Sequence, residues 1–178
     1  MDGVTRFLET KLKLKVNTAK SAVARPWQRA FLGFSFTSGK QPKRRIAPHS
    51  VVRFKRRVRE LTRRTRGVSL ERRVEDLAVY LDGWHGYFGF CETPSTLRSL
   101  DQWVRRRLRA VVWRQWRRGP KRYAELRRRD VGHVLAAQTA GSACGAWRPS
   151  NSPALSIAMS NAFFSHLGLP SLVPQPTA

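Results

Sequence analysis

Residues 51–66 read VVRFKRRVRELTRRTR, and their spacing decides how the rest of the chain is read. Val51, Phe54, Val58 and Leu61 recur at intervals of three and four, so a helix gathers them on one face. Lys55, Arg56, Arg59, Arg63 and Arg66 then share the opposite face. Gly67 is expected to end this helix, and Ser69 suits the N-cap of a second. The apolar stripe of that second helix is Leu70, Val74, Leu77, Leu81 and Trp84. It also carries Glu71, Glu75, Asp76 and Asp82, which are expected to pair with the basic helices beside it. Thr93-Pro94 combines a capping residue with proline at the first helical position. The third helix turns Leu97, Leu100, Val104, Leu108 and Val111 inward, is stopped by Gly119-Pro120, and is followed by a short helix over 121–128. Three amphipathic helices with short connections predict a small bundle.

The flanks read differently. Residues 4–10 suit a short helix, and residues 12–16 alternate apolar and basic side chains with the period of a half-buried strand. Phe31-Leu32-Gly33-Phe34-Ser35-Phe36 is a second strand-like run, turned back by Thr37-Ser38-Gly39-Lys40 toward Arg44-Arg45-Ile46. So few strands need partners from elsewhere. In the tail, Ser152-Pro153 is expected to start one helix through Leu155, Met159, Ala162 and Phe163, closing near Gly168. The fold expected is mainly α: a small helical bundle preceded by a short α/β segment. Three parts are expected, 1–48, 49–129 and a near-neutral extension 130–178 packed on the bundle.

Composition narrows the function. With 178 residues, 41% hydrophobic side chains and six Trp, the chain has the means to bury a core. Its formal charge of +24 repels itself unless a polyanion is present, and nucleic acid is the leading candidate. The charge is concentrated. Residues 43–66 hold eleven Lys and Arg against Glu60, and residues 104–129 hold twelve against Glu125. Beyond Asp130 only Arg148 is ionised, histidines aside. No apolar run approaches the roughly 20 residues of a membrane span, so no membrane partner is expected. Cys91 and Cys144 have neither metal-ligand nor disulfide-framework spacing, which suits reduced thiols in a cytoplasmic protein.

Several stretches together resemble the group II intron reverse transcriptases, or maturases. Leu12-Lys13-Leu14-Lys15-Val16-Asn17, Lys20-Ser21 and Phe31-Leu32-Gly33-Phe34 resemble that family's last palm motifs. Residues 46–67, Tyr80-Leu81-Asp82-Gly83-Trp84-His85-Gly86-Tyr87-Phe88, residues 100–109 and Trp113-Arg114-Gln115-Trp116 resemble its maturase or thumb region. Trp147-Arg148, Ser152-Pro153-Ala154-Leu155 and Ser160-Asn161-Ala162 fit its usual ending. Their order and spacing carry the resemblance across roughly residues 4–173. It implies that 1–48 is the end of a polymerase palm and 49–129 the maturase-specific thumb.

The resemblance also implies what is missing. Polymerases of this kind hold two Mg²⁺ ions on paired palm aspartates, because each ion needs several oxygen ligands. This chain has no Asp-Asp pair, and the family's aspartate motif is expected before Met1. Lys20 matches a palm lysine, and Phe31, Leu32, Gly33 and Phe34 match the primer-grip strand. No cofactor and no metal are expected for this chain; Mg²⁺ belongs to a complete polymerase. The chain alone is therefore expected to be no enzyme.

The remaining equipment suits binding. Arginine's planar fork bridges phosphate oxygens, and RNA helices are read largely through backbone and shape. The candidate RNA-binding residues are Lys55, Arg56, Arg59, Arg63, Arg64, Arg105, Arg106, Arg109, Arg114, Arg117, Arg118, Lys121 and Arg122. Gly83, Trp84, Tyr87, Phe88, Trp103, Trp113 and Trp116 are read as structural, and His85 as a hydrogen-bonded structural histidine. Trp113 and Trp116 need a reason: at 100° per residue they fall about 180° and 120° from Val104, on the outer side with Arg106, Arg109 and Arg117. They either stack on unpaired bases or seat the tail, and the tail is favoured because its apolar helix would otherwise lie exposed. The expected partner is structured intron RNA, bound to aid splicing. The alternatives are a subunit of a split polymerase completed by a separate finger–palm chain, or a decayed remnant.

Overall fold

The computed structural model describes residues 2–17, 21 and 23–173. Lys20 lies outside them. The first helix, α1 (Asp2–Thr10), buries none of its residues. The strand expected over 12–16 does not form. Without a partner strand nothing covers its alternate side chains: Leu12 and Leu14 stay exposed, and Lys13 turns left-handed with φ +53°.

The expected hairpin does form. Strand β1 (Phe34–Phe36) pairs antiparallel with β2 (Arg44–Ile46), with Phe34 opposite Ile46. A tight turn precedes it, in which Phe31 and Phe34 exchange backbone hydrogen bonds at 2.9 Å. Gly33 is required there. Its φ is +80°, and a Cβ would meet the Ser50 hydroxyl at 3.0 Å and the Phe88 ring at 3.1 Å. The Phe34 ring packs on Phe88 and Phe90, with centroids 5.1 and 5.2 Å away, which docks the hairpin on the end of the helix that closes at Phe88.

Helix α2 (Pro48–Leu61) buries Ser50, Phe54, Val58 and Leu61. It stops before Arg66, short of the glycine expected to end it. Thr62 hydrogen-bonds back to the Val58 carbonyl at 2.6 Å, Arg63 turns extended, and a single 3-10 turn leads to left-handed Gly67. Arg63 and Arg66 therefore leave the helical row they were expected to share, and Arg66 donates to the Leu61 carbonyl and to Asp76. Helix α3 (Leu70–Phe88) is capped by the Ser69 side chain, as its sequence predicts, and buries Val74, Leu77, Leu81, Trp84 and Phe88. Gly83 lies within it, and Tyr87 keeps 46% exposure while donating to the Leu32 carbonyl. His85 departs from expectation: its buried Nε2 has no hydrogen-bond partner among the described residues.

Helix α4 (Pro94–Gln115) is the axis of the fold. Its inner stripe is Leu97, Leu100, Val104, Leu108 and Val111, all buried as expected. Its other side is covered too. Trp113 and Trp116, the outer tryptophans of the sequence, are 0% and 5% exposed and share one core cluster with Leu155, Met159 and Phe164. Burying a large apolar side chain contributes about 1.5–3 kcal/mol, so both rings stabilise this core, with Arg122 over Trp113 and Arg129 over Trp116. Helix α5 (Gly119–Arg127) leads to α6 (His133–Ala140), which has no strong period in the sequence. The single tail helix expected from Pro153 is two, α7 (Pro153–Ala158) and α8 (Asn161–His166). Ser160 divides them by capping α8 through the Phe163 amide. This break lets both Met159 and Phe164 turn into the core.

Candidate nucleic-acid interface

The arginines of α4 form one row in the sequence, and their surroundings separate them. Arg105 is 4% exposed, forms an ion pair with Asp101 at 2.8 Å and reaches the Asn161 carbonyl. Arg106 lies over the Trp147 ring at 4.2 Å and donates to the Trp147 carbonyl. Arg109 donates to the Met159 carbonyl at 3.0 Å, and burial, then the neighbouring Arg105 charge, pull its pKa down. All three tie the tail to α4 through its backbone carbonyls. The same fork that grips a phosphate also grips a carbonyl, so Arg105 is removed from the exposed set. Arg106 and Arg109 are at most partly available.

The cations left outside fall into two adjoining regions. The first surrounds Trp103, which is half-buried between α2 and α4. Lys55, Arg59 and Arg107 all approach its ring, at 5.6, 5.5 and 5.9 Å. A cation over an indole face is attracted by the ring quadrupole, but three cations around one ring also repel each other. Arg107 shows the strain electrostatically. Burial lowers its pKa first, and the charges of Arg59 and Arg114 lower it further. Arg56 is exposed, with Glu60 4.0 Å away, and lines a separate pocket with Arg53, Arg57 and Tyr80.

The second region is a concave groove of about 760 Å³ between the turn after α2, the end of α4 and the loop after α6. Arg64, Arg73, Arg114, Arg117 and Arg122 line it, with Trp113 and Cys144, and no carboxylate among the described residues does. Thr62 joins the two regions, since it lines the groove and accepts from Arg107. Arg73 and Arg122 are held by backbone carbonyls: Arg73 by Val68 and Arg63, Arg122 by Trp116 and Ser142. Arg122 also lies 4.6 Å over the Trp113 ring. Burial, then Arg66, lowers the pKa of Arg73. Arg64, Arg114 and Arg117 are exposed at the rim. Arg63 and Arg118 are exposed nearby in sequence, and Lys121 pairs with Glu125 at 3.3 Å.

Arg73 and Arg107 are absent from the residues that the sequence singles out. For Arg73 a signal exists: it stands four residues before Leu77, on the apolar stripe of α3, where a guanidinium needs a reason. Arg107 carries none, because its neighbours in space are on α2.

The primer-grip-like residues lie on another side. Phe31 and Leu32 are 78% and 67% exposed, and with Phe34, Phe36, Tyr87 and Phe90 they line an apolar recess of about 470 Å³. Among the described residues no group of three or more His, Cys, Asp or Glu side chains could hold a metal ion. They therefore do not fit the two-ion site of a complete polymerase. No helix among them is long and apolar enough to cross a membrane.

The class is thus a mainly helical, strongly basic protein with two adjoining cationic surfaces, one of them a groove that no described carboxylate lines. The particular kind comes from comparison: residues 51–130, from the first turn of α2 through α5, match the group II intron, maturase-specific domain. No curated protein matches the chain. A role of the maturase type, in group II intron splicing, follows in general terms from that domain.

Proposed function

We propose that the chain binds structured intron RNA through the cationic band that runs from Lys55, Arg56 and Arg59 past Trp103 and Arg107 to Arg114 and Arg117, and that this contact aids splicing. The observation that carries the reading is the convergence of Lys55, Arg59 and Arg107 on one indole. No carboxylate pairs with these three among the described residues, so the cations remain uncompensated until an anionic partner arrives. Phosphates arriving there release their counterions and relieve that repulsion. Binding of a group II intron transcript, followed against salt and against Lys55→Gln with Arg59→Gln, tests it. Affinity indifferent to both would overturn it. The role requires no cofactor of its own and suits a cytoplasmic protein.

A second reading has its own support. The exposed recess of Phe31, Leu32, Phe36 and Phe90 suits docking to a separate finger–palm chain, which would complete a polymerase. Reverse transcription regained on mixing the two chains is the outcome that reading requires.

A further inference from the structure

The groove between α2, α4 and the loop after α6 differs from the band beside it, because it is concave. Helix faces present their cations outward, toward a duplex that shows its own phosphates on a broad, stiff surface. An A-form helix offers a wide, shallow minor groove and cannot enter a recess. The recess measures about 760 Å³, inside the range of roughly 300–1,000 Å³ typical of pockets that enclose small ligands. Its chemistry is almost all donors: five guanidinium groups line it, and Trp113 forms part of its floor. The Trp113 Nε1–H is fully buried and has no acceptor among the described residues. Trp113 is 0% exposed, with the Arg122 guanidinium 4.6 Å over its ring, so it backs the groove without contacting its contents.

We propose that the groove binds the phosphodiester backbone of an unpaired ribonucleotide segment. Arg64, Arg114 and Arg117 meet it at the rim, and the half-buried Arg122 meets it deeper in the groove. This deepens the RNA-binding reading and rests on it. The Trp116 and Ser142 carbonyls orient the Arg122 guanidinium before the ligand arrives, so little side-chain freedom is lost on binding. Arg73, 3% exposed and held by the Val68 and Arg63 carbonyls, adds positive charge behind the groove without contacting its contents. Only a flexible single strand has both the phosphates and the curvature to follow the groove inward.

Cys144 offers the readout. It lines the groove and is partly exposed, whereas Cys91 is buried. The full chain is treated with iodoacetamide alone, with a triribonucleotide, with inorganic pyrophosphate, or with a short blunt RNA duplex. The triribonucleotide is expected to slow Cys144 alkylation, and the duplex to leave it unchanged. Arg114→Gln with Arg117→Gln should raise the half-protecting concentration by about ten- to a hundredfold, as expected for lost charge-assisted hydrogen bonds. Arg98→Gln, at an exposed residue near the start of α4 and outside both cationic regions, should leave protection intact. Absence of protection by the triribonucleotide overturns the proposal, as does equal protection by the duplex. Protection by pyrophosphate alone overturns it in favour of a free small anion. If structured RNA still binds in any of these cases, the groove assignment falls and the wider reading stands. If structured RNA does not bind at all, the wider reading falls first.

Discussion

Arg107 of α4 donates from Nε to the hydroxyl of Thr62, the residue that closes α2, and Thr62 in turn donates to the Val58 carbonyl. One buried hydroxyl thus ends a helix and holds a guanidinium of another element in place beside Trp103. The turn after α2 and the cationic band are set by the same contact. Thr62→Val keeps the volume and removes both bonds. We expect it to destabilise the fold by about 1–3 kcal/mol, the cost of leaving a buried polar partner unsatisfied. Urea denaturation measures this, and an unchanged midpoint would show that the link contributes nothing.

Salt should govern RNA binding. With about six to ten phosphates contacted, affinity for structured RNA is expected to fall by roughly three to five decades between 50 and 200 mM salt. Arg56, Arg59 and Arg63 are exposed, so their joint replacement by Gln should weaken binding with little loss of helicity by circular dichroism. Unchanged affinity would mean that this side is merely solvated.

Primer extension by the purified chain with Mg²⁺ and nucleotides should be absent. The sequence has no Asp-Asp pair, and no described group of side chains could hold a metal ion. DNA synthesis that survives removal of contaminating polymerases contradicts this.

The tail should be inseparable from α4. Trp113 is 0% exposed, and Trp113→Ala is expected to cost about 3–5 kcal/mol, as for other large-to-small core changes. Deleting residues 150–178 should lower the melting temperature and shift tryptophan emission to longer wavelength. If the deletion leaves emission unmoved, the tail is not what covers the rings.

Acid should loosen α5. The Arg129 guanidinium hydrogen-bonded to Glu125 holds that carboxyl below its ordinary 4.5, with Lys121 adding to the effect. A depressed folded pKa stabilises the fold above the unfolded value, and this contribution is lost as pH falls through the folded one. Glu125→Gln should therefore flatten the fall of melting temperature below about pH 4.5. An identical acid profile in both proteins would remove Glu125 from the account.

Much of the scaffold is legible in the sequence. The three-and-four spacing of Phe54 and Val58 places α2, the Ser69 cap places the start of α3, and Thr93-Pro94 places the start of α4. These are local signals, set by side chains within a turn or two of each other. The departures have non-local causes. Residues 12–16 have a strand's alternation but no strand beside them. The end of α2 depends on Thr62 accepting from Arg107, 45 residues away. The tail's division at Ser160 lets two large side chains, rather than one stripe, reach the core.

The sequence by itself determined the helical class, the dense positive charge and the absence of an Asp-Asp pair. Each is a sum over residues, or a period along the chain, and needs no knowledge of what lies opposite. Only the tertiary structure decided which arginines are free. Arg105, Arg106 and Arg109 share the charge and spacing of a solvated row, yet bond to Asn161, Trp147 and Met159 in the tail. Arg73 stands on an apolar stripe, yet lines the groove. A guanidinium serves a carbonyl and a phosphate with the same fork. Its task is therefore set by the acceptor that the fold brings within about 3 Å, and that acceptor is drawn from parts of the chain which no local pattern connects.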